Sequence, residues 1–425
     1  MPPIRFIHAA DLHLDAAFSG LSRDIPADFA ERLRTATFTA FRRLLDLCER
    51  ESPDFLLLAG DVYNQEDASV SAQLALRDGF RRLESLSIPV FLVHGNHDPL
   101  ASRLRSVRWP GNVTVFGELP DAVPVFRKGE GTPLAIIHGA SHASGRETRN
   151  LAALFRRTEA CGLHVGLLHA TPGDADGVAR YAPFSQEDLK ASGMDYWALG
   201  HIHDRREVCR EPLAAYPGCT QGLHINEPGE KGCLLVTAEA RTDGGYAVRT
   251  SFRPLGPAVW KTLDMDLGGA ASLDELENRL RTGLDRAAAE VWSGCEMLLV
   301  RLRLQGRTEL DGLLRKGTTC AELADRLRED GSGVPRIWIK DIDVATRPCV
   351  ERGALLERED LLGEVFRLSE AARTASGLQA LREGPLAPLF AHARAGKALE
   401  PLTDEELARL LDDAESLCLD LLEND

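Results

Sequence analysis

Five short motifs carry the side chains best suited to chemistry: Asp11-Leu12-His13, Gly60-Asp61, Gly95-Asn96-His97-Asp98, His169 at the end of an apolar run, and Gly200-His201-Ile202-His203. Seven of these residues, Asp11, His13, Asp61, Asn96, His169, His201 and His203, offer oxygen or nitrogen donors. Two octahedral or five-coordinate divalent cations need a supply of that size, with one carboxylate bridging and water completing the shells. No motif contains Cys, which disfavours a structural zinc site. The mix of carboxylate, amide and imidazole suits Mn²⁺ or Fe²⁺ better. Asp11 and His13 stand two apart in or just after an extended segment, so both side chains are expected to point the same way, as are those of His201 and His203. Eleven of the twelve histidines fall within residues 1–224, which concentrates this chemistry in the N-terminal half.

The elements that must position these residues are legible in the hydrophobic pattern. Apolar runs at 4–10, 54–59, 89–93, 134–138, 163–168 and 195–199 alternate with amphipathic segments at 27–50 and 68–86. Continuous apolar runs between helices predict strands buried on both faces of an α/β sheet. Each run ends in polar chemistry, and ligands bind beyond the carboxyl ends of such strands. Six strands delivering Asp, Asn or His to that edge would surround one crevice. From residue 258 the pattern changes to strand 258–266, helix 272–289, strand 296–304, helix 319–329 and strand 335–345. That order predicts a small α+β domain. Residues 353–425 are leucine-rich and helical in pattern. The expected divisions are 1–255, 256–350 and an acidic helical tail, 351–425.

The chain has 425 residues and a net charge of −15. That length predicts two or three domains. No run of about 18 apolar residues predicts a membrane span, and the N-terminus lacks a charged and then apolar leader pattern, so a cytoplasmic location is expected. The nine cysteines are scattered with no Cys-x-x-Cys pair, which predicts reduced thiols. An acidic chain argues against unaided nucleic-acid binding. However, residues 351–425 carry −9 of the total, away from the motifs.

The ordered set D-x-H, G-D, G-N-H-D, H and G-H-x-H resembles the calcineurin-like metallophosphoesterase superfamily. The opening FIHAADLHLD and the stretch YPGCTQGLHINEPGEKG at 216–232 are similar to the DNA repair exonucleases of the SbcD and YhaO kind. The resemblance implies a sandwich of sheets flanked by helices, with a small capping domain and a helical tail. It implies that Asp11, His13 and His203 hold one metal, that Asn96, His169 and His201 hold the other, and that Asp61 bridges them. Mn²⁺ is the expected metal, with Fe²⁺ or Mg²⁺ as alternatives. A bridging hydroxide would attack phosphorus in line. His97 would contact the scissile phosphate and protonate the leaving oxygen, with Asp98 expected to orient it or, equally, to cap its own loop. One departure stands out: where some nucleases of the family place a histidine three residues after the bridging aspartate, this chain has Asn64.

For substrate contacts the candidates are Arg103, Arg105, Arg205 and His224, with Arg149 and Arg206 also on loops near the metal edge. Trp109 and Tyr181 are the only nearby aromatic side chains for base stacking. Thr403 and Glu406 form a capping-box pattern before a helix whose leucines face either the chain's own core or a partner. The resemblance names that partner as an SbcC-like coiled-coil ATPase, with DNA as substrate and a homodimer compatible with the pattern. A phosphatase or cyclic-nucleotide phosphodiesterase on a small substrate is the alternative enzyme. A non-catalytic scaffold on the same fold is the third class.

Overall fold

The computed structural model describes residues 2–422 apart from 22–24, 64–68, 103–106, 174–179, 243, 330–332, 350–351 and 392–401. Twelve strands build its N-terminal part: β1 (Ile4–Ala9), β2 (Phe55–Ala59), β3 (Val90–Val93), β4 (Val113–Val115), β5 (Asp121–Val125), β6 (Ala135–Ala140), β7 (Leu163–His169), β8 (Tyr196–Gly200), β9 (Arg206–Arg210), β10 (Leu213–Tyr216), β11 (Gly232–Ala240) and β12 (Tyr246–Pro254). They form two six-stranded sheets, ordered β12-β11-β1-β2-β3-β4 and β5-β6-β7-β8-β10-β9. Within them β1-β2-β3-β4 and β6-β7-β8 run parallel.

Alternate residues of each strand face opposite layers, and both faces are apolar. Phe6, Phe55, Leu57, Phe91 and Val93 meet Val165, Leu167, Tyr196 and Ala198 between the sheets. Ile7, Leu56, Leu58 and Leu92 face outward onto Phe41, Leu44, Phe80 and Leu83. Those last four belong to two helices, Ala36–Glu51 and Val70–Ser85. The predicted helix over 27–50 is broken into Ala27–Arg34 and Ala36–Glu51. At the break the Thr35 hydroxyl donates to the carbonyls of Glu31 and Arg32, competing with the helical ladder.

The later strands, β13 (Ala258–Asp266), β14 (Met297–Thr308) and β15 (Arg336–Pro348), form a three-stranded sheet in that order, with helices Leu273–Glu290 and Thr319–Glu329 between them. Trp260, Met297, Leu299 and Trp338 of this sheet pack on Phe29 and Leu33. The chain divides into two compact units. The first comprises Met1–Leu267, Ser272–Gln305 and Leu313–Ala345; the second comprises Gly268–Ala271, Gly306–Gly312 and Thr346–Asp425. In the second, helix Asp404–Leu422 begins at the predicted reciprocal cap, Thr403 N–H to Glu406 and Glu406 N–H to Thr403 Oγ1. Leu419 packs with Leu355, Leu362 and Phe366, while Leu410, Leu417, Leu421 and Leu422 are exposed. All nine cysteines are free thiols.

One buried histidine makes a stability prediction. His8 on β1 lies between the sheets with Nδ1 2.9 Å from the Tyr196 hydroxyl and Nε2 3.2 Å from the Leu199 carbonyl. A carbonyl only accepts, so Nε2 carries the proton and the Tyr196 hydroxyl donates to Nδ1, which fixes the neutral ring. Burial pushes its pKa down to about 3, against a smaller upward pull from the Leu199 carbonyl. The unfolded chain binds this proton near pH 6.5 and the folded chain does not, so stability present above pH 6.5 is lost as the pH falls toward the folded value. His8→Gln keeps a donor and an acceptor without titrating. In urea unfolding with EDTA present, wild type should lose about 1.4 kcal/mol per pH unit relative to this variant between pH 6 and 4. A pH-independent difference would contradict the neutral assignment.

Candidate metal centre

Five of the six predicted strand ends converge. Asp11 and His13 follow β1, Asp61 follows β2, Asn96 and His97 follow β3, His169 ends β7, and His201 and His203 follow β8. The sixth end differs: His138 lies on β6 with Nε2 3.0 Å from His164 Nδ1, and both rings are held neutral-prone by burial. The β6 end serves the site indirectly instead, because His142 Nε2 donates to the His169 carbonyl at 2.6 Å.

Strand alternation does not orient the first pair of donors. Strand β1 stops at Ala9, and Asp11 (φ 51°) and His13 (φ 40°) both adopt left-handed backbone, as do Asp61 (φ 49°) and His201 (φ 102°). Such conformations cost of order 1–3 kcal/mol each in non-glycine residues. The first two are held by the segment at the end of β2: Asp11 N–H donates to Gly60 O and His13 N–H to Asp61 O, both at 3.1 Å. Two glycines permit the close approach. A Cβ on Gly95 would lie 2.2 Å from Asp61 Oδ1, and one on Gly200 would lie 1.8 Å from Ala59 O.

The donor atoms form two groups, each within 4.8 Å: Asp11, His13 and His203, and Asp61, His169 and His201. Asn96 Oδ1 joins the second, 3.1 Å from His169 Nε2 and 3.2 Å from His201 Nδ1. Asp61 Oδ2 reaches both groups, 3.3 Å from His169 Nε2 and 3.9 Å from His13 Nε2. Across the sheets, Asp11 accepts the His201 N–H at 3.1 Å.

The chemistry of the set fits divalent cations. His169 Nδ1 donates to the Ala59 carbonyl at 2.9 Å, which leaves Nε2 turned toward Asp61 and Asn96. His13 and His203 face each other Nε2 to Nε2 at 3.2 Å, a spacing that requires a shared proton or a cation. Burial pushes the Asp11 carboxyl up to about 6 against the pull of His169 and His203. Asp61 is equally buried, yet His169 and His13 hold it well below the ordinary carboxylate range. The His169 imidazole, which burial alone would depress, is raised to about 9 by Asp61 and Asp11. Without metal, a proton on His169 offsets part of the charge of two buried carboxylates, and ligand sites take up metal in exchange for such protons.

The remaining expectations separate. His97 is exposed, its N–H donates to Asp61 Oδ1 at 3.0 Å, and its ring lies 5.2 Å from that of His13. Asp98 is expected to orient His97 or, equally, to cap its own loop, and its carboxylate is turned to the loop. It accepts Gly95 N–H at 2.8 Å and Val62 N–H at 3.0 Å, with His94 as the nearby imidazole at 3.4 Å. The loop-cap reading describes it, because the turn places its oxygens behind the motif. Arg205 is exposed with its guanidinium 4.1 Å over the Phe252 ring, Arg206 lies over Tyr216, and Arg149 pairs with Glu147. Tyr181 stands beside His201 with ring centres 5.2 Å apart, whereas Trp109 packs on Phe80. His224 Nε2 lies 3.1 Å from Glu227 Oε1. Asn64, Arg103, Arg105 and His392 lie outside the described residues.

Sequence reasoning missed Glu227. Its Oε1 lies 2.5 Å from His203 Nδ1, and it is buried. Burial would raise its carboxyl, but the hydrogen bond from His203 holds it down at about 2. The only signal was its position inside the stretch 216–232.

A family model for calcineurin-like phosphoesterases matches residues 4–205, and one for the middle domain of metallophosphoesterase YhaO matches residues 260–347. The chain is 34% identical over 388 residues to the uncharacterized metallophosphoesterase YhaO of Bacillus subtilis (strain 168), covering 90% of this chain and 91% of that one. It belongs to the YhaO metallophosphoesterases. This metallophosphoesterase is also 27% identical over 319 residues to the DNA double-strand break repair protein Mre11 of Aeropyrum pernix, covering 68% of this chain and 69% of that one. Membership makes it a phosphoester hydrolase of a metal-dependent family, with a donor set suited to two divalent cations. No helix among the described residues is long and apolar enough to cross a membrane.

Proposed function

We propose that this metallophosphoesterase is a dinuclear-metal phosphodiesterase that cleaves DNA exonucleolytically in repair, with Mn²⁺ as its metal. The carrying observation is the convergence of seven donors from both sheets on one edge, with the exposed His97 ring beside them. The similarity to YhaO over nine-tenths of the chain supports the phosphoesterase chemistry, and the similarity to a protein named for DNA double-strand break repair supports DNA as the substrate.

In this reading Asp11, His13 and His203 hold one cation, Asn96, His169 and His201 the other, and Asp61 both. Bound there, two such cations would supply charge neutralisation for a phosphodiester and a water acidic enough to serve as nucleophile. The protein's own residues do the rest. His169 is pinned through Nδ1 to Ala59, so its other nitrogen keeps one direction. His97 is anchored by its backbone to Asp61 but free in its ring, and is placed to give a proton to the leaving oxygen. The acidic surface predicts weak unaided DNA binding. The exposed leucines of the C-terminal helix suit docking to an SbcC-like coiled-coil ATPase. Functionally we assign residues 1–255 to the nuclease domain, 256–350 to a small cap and 351–425 to partner docking. A cytoplasmic location and a homodimer complete the proposal.

Linear duplex DNA, a nitrophenyl phosphodiester and a cyclic nucleotide, each assayed with Mn²⁺, test the reading. Release of mononucleotides from DNA is the expected result. Turnover of the small substrates with intact DNA would favour the phosphatase-like alternative.

A further inference from the structure

The loop between β10 and β11 supplies none of the seven donors, yet it grips His203 from both ends. Cys219 N–H and Lys231 Nζ donate to the His203 carbonyl at 3.2 and 3.1 Å, and Lys231, 5% exposed, also binds Asp204 Oδ1 at 3.0 Å. Gly218 passes so close that a Cβ there would lie 2.7 Å from the same carbonyl, with a φ of +81° that favours glycine. At the ring end, Glu227 is 6% exposed and faces Nδ1 at 2.5 Å. Its second oxygen accepts Leu223 N–H at 2.7 Å, and its own N–H donates to the His224 carbonyl at 2.9 Å. The carboxylate is therefore itself held in place.

Either nitrogen of a neutral imidazole can carry the proton, and a carboxylate only accepts. Opposite Glu227, the proton of His203 sits on Nδ1. Nε2 is left bare and turned toward His13 at 3.2 Å and Asp11 at 3.9 Å. We propose that Glu227 is a positioning residue for the metal centre: by fixing the tautomer and direction of His203 it sets the affinity of the Asp11/His13/His203 cation position. This rests on the two-cation reading above.

Cys219, Glu227 and His203 also bring donor atoms within 4.8 Å of one another, which raises a third cation site as the rival. The 2.5 Å separation argues against it. Donors around a zinc ion, each roughly 2 Å from the metal, stand about 3 Å or more apart.

Full-length protein stripped with EDTA is titrated with Mn²⁺ by calorimetry and followed by electron paramagnetic resonance. Wild type should bind two Mn²⁺ and show a coupled pair. Glu227→Gln keeps the size of the side chain and an acceptor for Leu223 N–H but loses the charge. It should weaken one of the two ions 10–100-fold and leave the other unchanged, so that limiting Mn²⁺ gives the signal of an isolated ion. Combined with His203→Ala, it should weaken binding no further than His203→Ala alone, because its effect passes through that ring. Failure of wild type to bind two ions overturns the two-cation reading itself. Two unchanged ions in Glu227→Gln, equal weakening of both, or a third tight ion lost with Glu227 overturns the positioning role.

Discussion

Asp61→Asn is expected to lower phosphodiester turnover by roughly 10³-fold or more, about 4 kcal/mol of transition-state stabilisation, and to weaken both Mn²⁺ positions together. Asp61 Oδ2 lies within reach of an Nε2 atom in each donor group, at 3.3 Å from His169 and 3.9 Å from His13. Asparagine preserves the shape and can still accept the His97 N–H through Oδ1, so the loop keeps its anchor. What disappears is the negative charge and the second anionic oxygen. Calorimetry of the EDTA-stripped variant reads the metal loss, and turnover on DNA reads the chemistry. Two Mn²⁺ bound with wild-type affinity would remove Asp61 from its shared position, whatever the activity.

His97→Ala should separate metal binding from catalysis. A proton donor to the leaving oxygen contributes typically 10²–10⁴-fold, so turnover on DNA should fall by that factor while two Mn²⁺ remain bound. His97 can be removed this cleanly because its ring is exposed and only its backbone is tied to Asp61. A nitrophenolate departs without needing a proton, so the nitrophenyl phosphodiester should lose far less than DNA. An equal loss on both substrates would mean that His97 binds phosphate without donating a proton.

The strand ends and the seven donors were readable because each motif follows an uninterrupted apolar run, and a parallel sheet gathers such ends at one edge. What the pattern could not show is how the donors are turned. Asp11, His13, Asp61 and His201 adopt left-handed backbone, and the N–H groups of Asp11, His13 and His201 donate to Gly60 O, Asp61 O and the Asp11 carboxylate, partners that no local pattern names. Asp98 was legible with two roles, orienting His97 or capping its own loop, and choosing between them needed the turn that aims its carboxylate at the N–H groups of Gly95 and Val62. Glu227 was hidden for another reason. It reaches His203 across 24 residues of sequence, and nothing in the periodicity links a loop glutamate to a distant imidazole. The division of Leu407 and Leu419, which are buried, from Leu410 and Leu417, which are exposed, likewise needed the packing of the second unit.

The donor set is split along the seam of the sandwich: Asp11, His13, Asp61 and Asn96 ride on one sheet, and His169, His201 and His203 on the other. Occupancy of the centre is therefore a gauge of sheet alignment. A rigid-body slip of one sheet by a fraction of an ångström alters donor spacing on both sides at once, while leaving every backbone ladder intact. The rings of Phe6, Phe55, Phe91 and Tyr196 pack against one another between the sheets, so the spacing of the two donor rows depends on the fit of this aromatic layer.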